Sequence, residues 1–314
     1  MATELIQNVV YKKMGNFLVS NELFLDLIFT EKCNCNCKFC IAKTPEYAER
    51  KLEEWKKNLK RTLKLFDVHN IIILGGEATI DPLFFKKVNY LETLLPETRV
   101  DNVILTTNGI MFRNESFLQG VVNSCINTVN LSYMNYDKKK NDDVMRGNTL
   151  TKEEVKHVYD IFVAAGMTMR LNVNVWKNNV DTVEELNNFV DYFNGCATAI
   201  KFSPLMNAHM FGVVDDVEKF TADNELSHEQ IRSLYDAFAV DNDVVRKNDG
   251  VFGLVDYKEV QRNGQHVILK YAQVEDTYDL DTVIPTLKLY PNGALSNEWD
   301  YKKNILTYFE EKEV

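Results

Sequence analysis

No apolar run in this 314-residue chain reaches the roughly 18 residues that a membrane span requires, and the opening MATELIQNVVYKKMGNF lacks the basic-then-apolar order of a secretory signal. A cytoplasmic protein without a membrane partner is expected. Basic residues are in the minority, 36 against 46 acidic, which leaves a net charge of −10 and a pI near 5.1. That balance excludes a broad nucleic-acid surface, which needs clustered Lys and Arg. Low-complexity tracts and internal repeats are absent, so neither a solenoid nor a disordered array organises the chain. Histidine is scarce, with five residues at 69, 157, 209, 228 and 266 and no H-x3-H pair; outside one short stretch the only cysteines are Cys125 and Cys196. Four cysteines within eight residues and two elsewhere do not make a secreted disulfide framework.

The crowded stretch, residues 25–41, reads LDLIFTEKCNCNCKFCI. Cys33, Cys37 and Cys40 stand at C-x3-C-x2-C, a spacing at which a tightly curled loop can bring three thiolates onto three corners of a cubane [4Fe-4S] cluster. The fourth iron then lacks a protein ligand and can bind a substrate or cofactor, whereas a cluster that only passes electrons usually has four cysteines. Zinc is the competing reading, since Cys35 adds a fourth sulfur. Structural zinc, however, usually draws on two separated pairs, and no second C-x2-C occurs.

With 45% hydrophobic residues the chain can bury one large core. After a lead-in over residues 1–22, residues 23–29 form a short apolar run suited to a buried strand, which feeds directly into the cysteine loop. Leu52, Trp55, Leu59, Leu63 and Phe66 then recur at helical spacing. Residues 70–74, with three consecutive isoleucines, read as a strand buried on both faces; Asp81 and Pro82 read as the cap and first turn of the next helix. Residues 103–107, 128–133, 167–176 and 198–203 are further strands. Helices between or after them are announced by Thr151 with Glu154, Asp181 with Glu184, and Ser227 with Gln230. Six strand-then-helix units imply parallel strands and right-handed crossovers: an α/β fold, a partial (β/α)6 TIM barrel over residues 23–240. From 241 to 314 the pattern changes to short strands near 251–255, 266–274, 286–290 and 294–299, read as a small antiparallel C-terminal lobe. Residues 206–225 read as a long loop, a candidate lid over the barrel mouth.

Gly75-Gly76-Glu77 falls at the carboxyl end of the second strand. Glycines there let the backbone approach a ligand closely, and the carboxylate can take charge-assisted hydrogen bonds from an ammonium. Together with TEKCNCNCKFC, in which Phe39 precedes the last cysteine, this motif resembles the radical S-adenosylmethionine superfamily. The resemblance implies a [4Fe-4S] cluster on Cys33, Cys37 and Cys40, with Cys35 a bystander. Its open iron would chelate the amino and carboxylate groups of S-adenosyl-L-methionine, whose reductive cleavage gives methionine and a 5′-deoxyadenosyl radical. It also implies cofactor contacts from Phe39, Gly75, Gly76 and Glu77, from Thr107 and Asn108 in a Thr-Asn-Gly run, from Ser132 and Asn172 on the fourth and fifth strands, and from Leu205 after the sixth. Asn174 shares the face of Asn172 and is not separable from it by pattern. Ala78 departs from the family habit of a proline after the glutamate.

Arg146, in Met-Arg-Gly, is similar to a feature of the branch that includes the molybdopterin-precursor cyclase and peptide-maturing members. The cysteines that an auxiliary-cluster extension needs are lacking. Arg146, Lys201 (inward on the sixth strand) and His209 (in the long loop) are the substrate-side candidates. The expected reaction is hydrogen abstraction from a small-molecule or nucleotide-derived substrate, with electrons from a one-electron reductant such as flavodoxin or ferredoxin. A peptide- or protein-modifying enzyme is the alternative within this chemistry. An iron–sulfur electron-transfer or redox-sensing protein is the alternative outside it, and it leaves Gly75-Gly76-Glu77 without a role.

Overall fold

The computed structural model describes residues 3–6, 9–14, 17–43, 48–206, 213–247, 256–273 and 283–306. The chain begins with an antiparallel pair, β1 (Thr3–Ile6) and β2 (Val9–Met14), and β2 continues antiparallel onto the start of β3 (Phe17–Thr30). Strands and helices then alternate through α1 (Leu52–Leu65), β4 (Val68–Gly75), α2 (Phe84–Leu94), β5 (Asn102–Thr107), α3 (Glu115–Val122) and β6 (Thr128–Ser132). They continue through α4 (Lys138–Met145), α5 (Lys152–Ala164), β7 (Thr168–Val175), α6 (Val183–Phe193), β8 (Ala199–Pro204), α7 (Asp215–Asn224) and α8 (His228–Val240). From β3 to β8 each strand pairs in parallel with the next, which is the expected six-unit partial barrel.

The strands differ in how they are buried, and the difference shapes the interior. On β7 the outward residues Met169, Leu171, Val173 and Val175 are fully enclosed in the core with the surrounding helices, while Arg170, Asn172 and Asn174 alternate with them on the inner face. A strand with apolar residues on one side and polar ones on the other lines a polar lumen, because successive side chains point to opposite faces. The helices follow their local signals. Thr151 with Glu154 and Ser227 with Gln230 form reciprocal capping boxes at α5 and α8. Two caps shift. Thr182, not Asp181, accepts from the Glu185 amide at α6, and Asp181 instead accepts from Asn178 N. At α2 the helix starts at Phe84. Asp81 is drawn into a buried ion pair with Lys87 (2.8 Å) and accepts from Leu83 N on the way.

The last third carries the expected antiparallel strands and also joins them to the barrel sheet. β10 (Tyr257–Arg262) is antiparallel to both β9 (Asp243–Lys247) and β11 (Gln265–Lys270), and β12 (Val283–Leu289) is antiparallel to β13 (Leu295–Ser296). Yet β11 joins β8 in parallel and β12 joins β3 in parallel, so the parallel array runs β12, β3, β4, β5, β6, β7, β8, β11. β3 and β8 would otherwise present rows of unpaired N–H and C=O groups, and the C-terminal strands cover them. No pairing joins β11 to β12 among the described residues, so the barrel remains open. The segment read as a long loop contains α7, whose Val217 is buried; the expected strand near 251–255 lies outside the described residues. No helix among the described residues is long and apolar enough to cross a membrane.

Candidate active site

The cysteine loop leaves the carboxyl end of β3 and is held on three sides by hydrogen bonds. Asn36 N and Lys38 N donate to the last carbonyls of α4, Met145 O (3.2 Å) and Val144 O (2.9 Å). Gly76 N donates to Thr30 O (2.7 Å) and Glu77 N to Lys32 O (2.8 Å). On the third side, Asn108 Nδ2 donates to Asn34 Oδ1 (2.7 Å). The two glycines serve this seating. A Cβ on Gly75 would stand 2.1 Å from Thr30 O, and one on Gly76 2.4 Å from Lys32 O, so only glycine lets the β4 turn lie against the loop.

Glu77 is 3% exposed and is held by four protein donors. Thr79 N (3.1 Å), Thr79 Oγ1 (2.6 Å) and Thr107 Oγ1 (2.7 Å) donate to Oε1, and Asn108 N (2.7 Å) to Oε2. Burial pushes its carboxyl above the usual range while these bonds pull it back. Held in this way, the side chain is a strut between the end of β4 and the end of β5.

Above these elements lies a cavity of about 260 Å³. Cys33, Cys37 and Cys40 line it, and so does Cys35, with Phe39, Gly75, Gly76, Glu77, Thr107, Asn108 and Ser132 around them. Met206, Gln273 and Trp299 add a wall from β8 and the C-terminal strands. Phe39 packs against Trp176, ring centroids 5.5 Å apart and tilted, which anchors the residue before Cys40. The Cys33 thiol is pushed well above the ordinary thiol range by its hydrogen bond with Cys35 and by burial, and burial likewise raises Cys40. Thiols so placed lose their protons when a metal takes them.

The residues fit an iron–sulfur cluster in the chemistry of their donors: several sulfurs around one cavity, with no carboxylate among them except the engaged Glu77. Among the described residues no three His, Cys, Asp or Glu side chains converge closely enough for a single ion. They also fit a small polar cofactor. Ser132, Thr106 and Asn174 face the cavity, and Asn172 Oδ1, on the same inner face, is buried without a hydrogen-bond partner.

Other expected residues lie elsewhere. Asn174, rather than Asn172, lines the cavity, because it is one layer nearer the carboxyl end of β7. Leu205 is buried in a separate apolar cluster with Met134, Met145 and Trp176, one layer behind Phe39. Arg146 adopts left-handed backbone (φ 48°) at the end of α4 and opens on a second cavity of about 590 Å³, beside Asn36, Lys38 and Lys43. Lys201 points inward but is not part of the cavity wall. His209 lies outside the described residues. Gln273 carried no local signal, since only the docking of β11 onto the barrel brings it to the mouth.

Residues 27–190, just over half of the chain, match the family model described as the radical SAM superfamily. GTP 3′,8-cyclase of Campylobacter jejuni subsp. doylei is 24% identical over 241 residues, covering 74% of this chain and 72% of that protein. The S-adenosylmethionine-dependent nucleotide dehydratase of Flammeovirga pacifica is 25% identical over 171 residues, 51% of this chain and 56% of that one. Among solved structures, Streptococcus suis SuiB bound to S-adenosylmethionine superposes with a TM-score of 0.61 at 16% identity. The superposition covers 94% of this chain and 66% of SuiB, so the chain spans a little under two thirds of that protein; at such identity the likeness is one of fold.

Proposed function

The chain belongs to the radical SAM superfamily, and from that premise we propose that it abstracts hydrogen from a nucleotide-derived small molecule at the cavity between the cysteine loop and the strand ends. A reduced [4Fe-4S] cluster with S-adenosylmethionine, when bound, supplies a 5′-deoxyadenosyl radical. Cys33, Cys37 and Cys40 would hold the cluster, and the main chain of Gly75, Gly76 and Glu77, with Ser132 and Asn174, would orient the S-adenosylmethionine. The observation that carries this reading is the meeting of four loop cysteines, the Gly-Gly-Glu turn and the Thr107-Asn108 end of β5 around one cavity.

The protein's own contribution is positional. The Glu77 strut and the Asn108–Asn34 bond fix two strand ends against the loop, so a ligand meets a preformed wall, and the entropy of ordering it is already spent before binding. Trp299, Phe39 and Met206 exclude water from one side of the cavity, which protects a reactive radical from quenching. Named relatives that act on GTP and on a nucleotide support the nucleotide class of substrate. The electrons would come from a small one-electron carrier, and such a cluster suits the reducing cytoplasm.

The test is anaerobic reconstitution with iron and sulfide, reduction with dithionite and measurement of 5′-deoxyadenosine. Cleavage of S-adenosylmethionine, stimulated by a member of a nucleotide panel, is expected. A brown protein that releases no 5′-deoxyadenosine under any condition would leave an electron carrier as the better reading.

A further inference from the structure

Lys43 follows the last cysteine of the loop by three residues, and hydrogen bonds tie it both to that loop and to α7. Its N–H donates to Cys40 O (3.2 Å), and its carbonyl accepts from Val214 N (3.0 Å), just before α7 begins. The side chain then folds back along the loop, and Nζ donates to Cys37 O (2.5 Å). One residue is thereby fixed to two of the three expected cluster cysteines, its main chain to Cys40 and its ammonium to Cys37.

The side from which Lys43 approaches is not that of the cofactor. Ile41 and Ala42, in the turn just before it, line the cofactor cavity, whereas Lys43 lines the second cavity together with Asn36, Lys38 and residues of α7. The ammonium thus lies on the outer side of the cysteine loop. Burial holds its pKa below the ordinary lysine value; the fields of Cys40 and Cys37 pull against this, Arg146 adds to it, and Cys33 pulls against it again. All three sulfurs are therefore within reach of the charge on Lys43. Lys38, in the same loop, differs: its Nζ faces Asp143 at 3.2 Å, and that carboxylate offsets its charge.

We propose that Lys43 raises the reduction potential of the cluster by holding an ammonium against the outer side of the loop that carries it. This rests on the cluster reading above and names a residue that makes the electron easier to accept. One electron moves, from a small one-electron carrier to the cluster, and no bond forms or breaks. It adds a unit of negative charge to a group already held by three thiolates, so a fixed cation nearby favours the reduced form. Net charge, hydrogen bonding and solvent exposure are the levers by which proteins move such potentials. The Cys37 carbonyl holds the ammonium in place beforehand, so little has to reorient when the electron arrives.

Redox titration of the reconstituted, oxygen-free protein tests this before any S-adenosylmethionine is added. The visible absorbance of the oxidised cluster and the electron paramagnetic resonance of the reduced one follow the titration. Lys43→Met and Lys43→Gln should each lower the midpoint by about 59 mV or more, a tenfold change in the one-electron equilibrium. Lys43→Arg, which keeps the charge, and Lys38→Met, which removes one already offset, should each stay within about threefold of wild type in the same equilibrium. Iron content and melting temperature show whether each variant is folded and loaded. Wild-type midpoints in both neutral variants overturn the proposal, as does a fall in Lys38→Met equal to that in Lys43→Met, which would make overall charge the cause. If both neutral variants fail to hold iron, Lys43 is a clamp of the loop and the proposal also fails. A wild-type protein that takes up no cluster overturns the underlying reading, and this proposal with it; a brown wild type with unmoved midpoints in the variants overturns only the role of Lys43.

Discussion

Gly147 lies directly against Cys35: a Cβ built on Gly147 would stand 2.4 Å from the Cys35 sulfur. Arg146, just before it, turns the chain out of α4 in left-handed backbone, and the last carbonyls of α4 accept from the cysteine loop. The Met-Arg-Gly turn is thus the seat of that loop.

Gly147→Ala should push Cys35 and the loop off that seat, at a cost of roughly 1–3 kcal/mol as for other overpacked sites. The expected outcome is a lower melting temperature and iron content below wild type. Gly166→Ala is the control. Its φ of 75° strains an alanine, but nothing lies within 4 Å of the added Cβ. It should lower stability by about 1 kcal/mol and leave the iron content unchanged. Equal iron in Gly147→Ala and wild type would mean that the turn does not support the loop.

Cys35→Ala should keep about four irons and the brown colour, whereas Cys33→Ala, Cys37→Ala and Cys40→Ala should each lose most of both. The Cys35 sulfur faces the same cavity, but it is wedged at Gly147 and accepts from Asn108 Nδ2 at 3.5 Å, so it reads as part of the wall. Iron analysis of the four variants decides between that reading and a ligand role for Cys35.

Glu77→Gln should destabilise the fold by roughly 1–3 kcal/mol, because the amide nitrogen cannot accept the bonds that one carboxylate oxygen takes now. A strut between β4 and β5 predicts a lower midpoint in denaturant even for the metal-free protein. An unchanged midpoint with weaker S-adenosylmethionine binding would instead make Glu77 a direct ligand contact.

Lys201 gives a pH dependence with a definite sign. Its folded ammonium titrates near 7, against the ordinary lysine value of 10.5 in the unfolded chain. Between those values the unfolded state holds the extra proton, so the Lys201 contribution to stability rises with pH across that window and is least favourable below about 7. Lys201→Met should therefore exceed wild type in stability most at pH 6 to 7 (roughly), with the gap narrowing toward pH 10 (about). Denaturant midpoints at several pH values check this; a gap that stays constant would show that Lys201 does not titrate in the window.

What the chain's order of residues determined by itself was local. The C-x3-C-x2-C loop, the capping boxes at Thr151 and Ser227, the isoleucine run of β4 and the alternation of strand with helix each depend on residues a few positions apart, and short-range sterics and hydrogen bonds act at that range. Cap position was less legible where two candidates stood together. Asp181 and Thr182 compete for one helix end, and Asp81 found a buried lysine six residues on.

Only the tertiary structure decided which distant strands became neighbours. The attachment of β12 to β3 and of β11 to β8 depends on the need of both edges for main-chain partners, and a backbone edge leaves no mark in the side chains that pair with it. That pairing carries Trp299 and Gln273 to the cavity. It likewise decided that Glu77 meets Thr107 and Asn108, and that Gly147 meets Cys35, contacts between residues far apart in the chain that exist only because the sheet sets one strand end beside another.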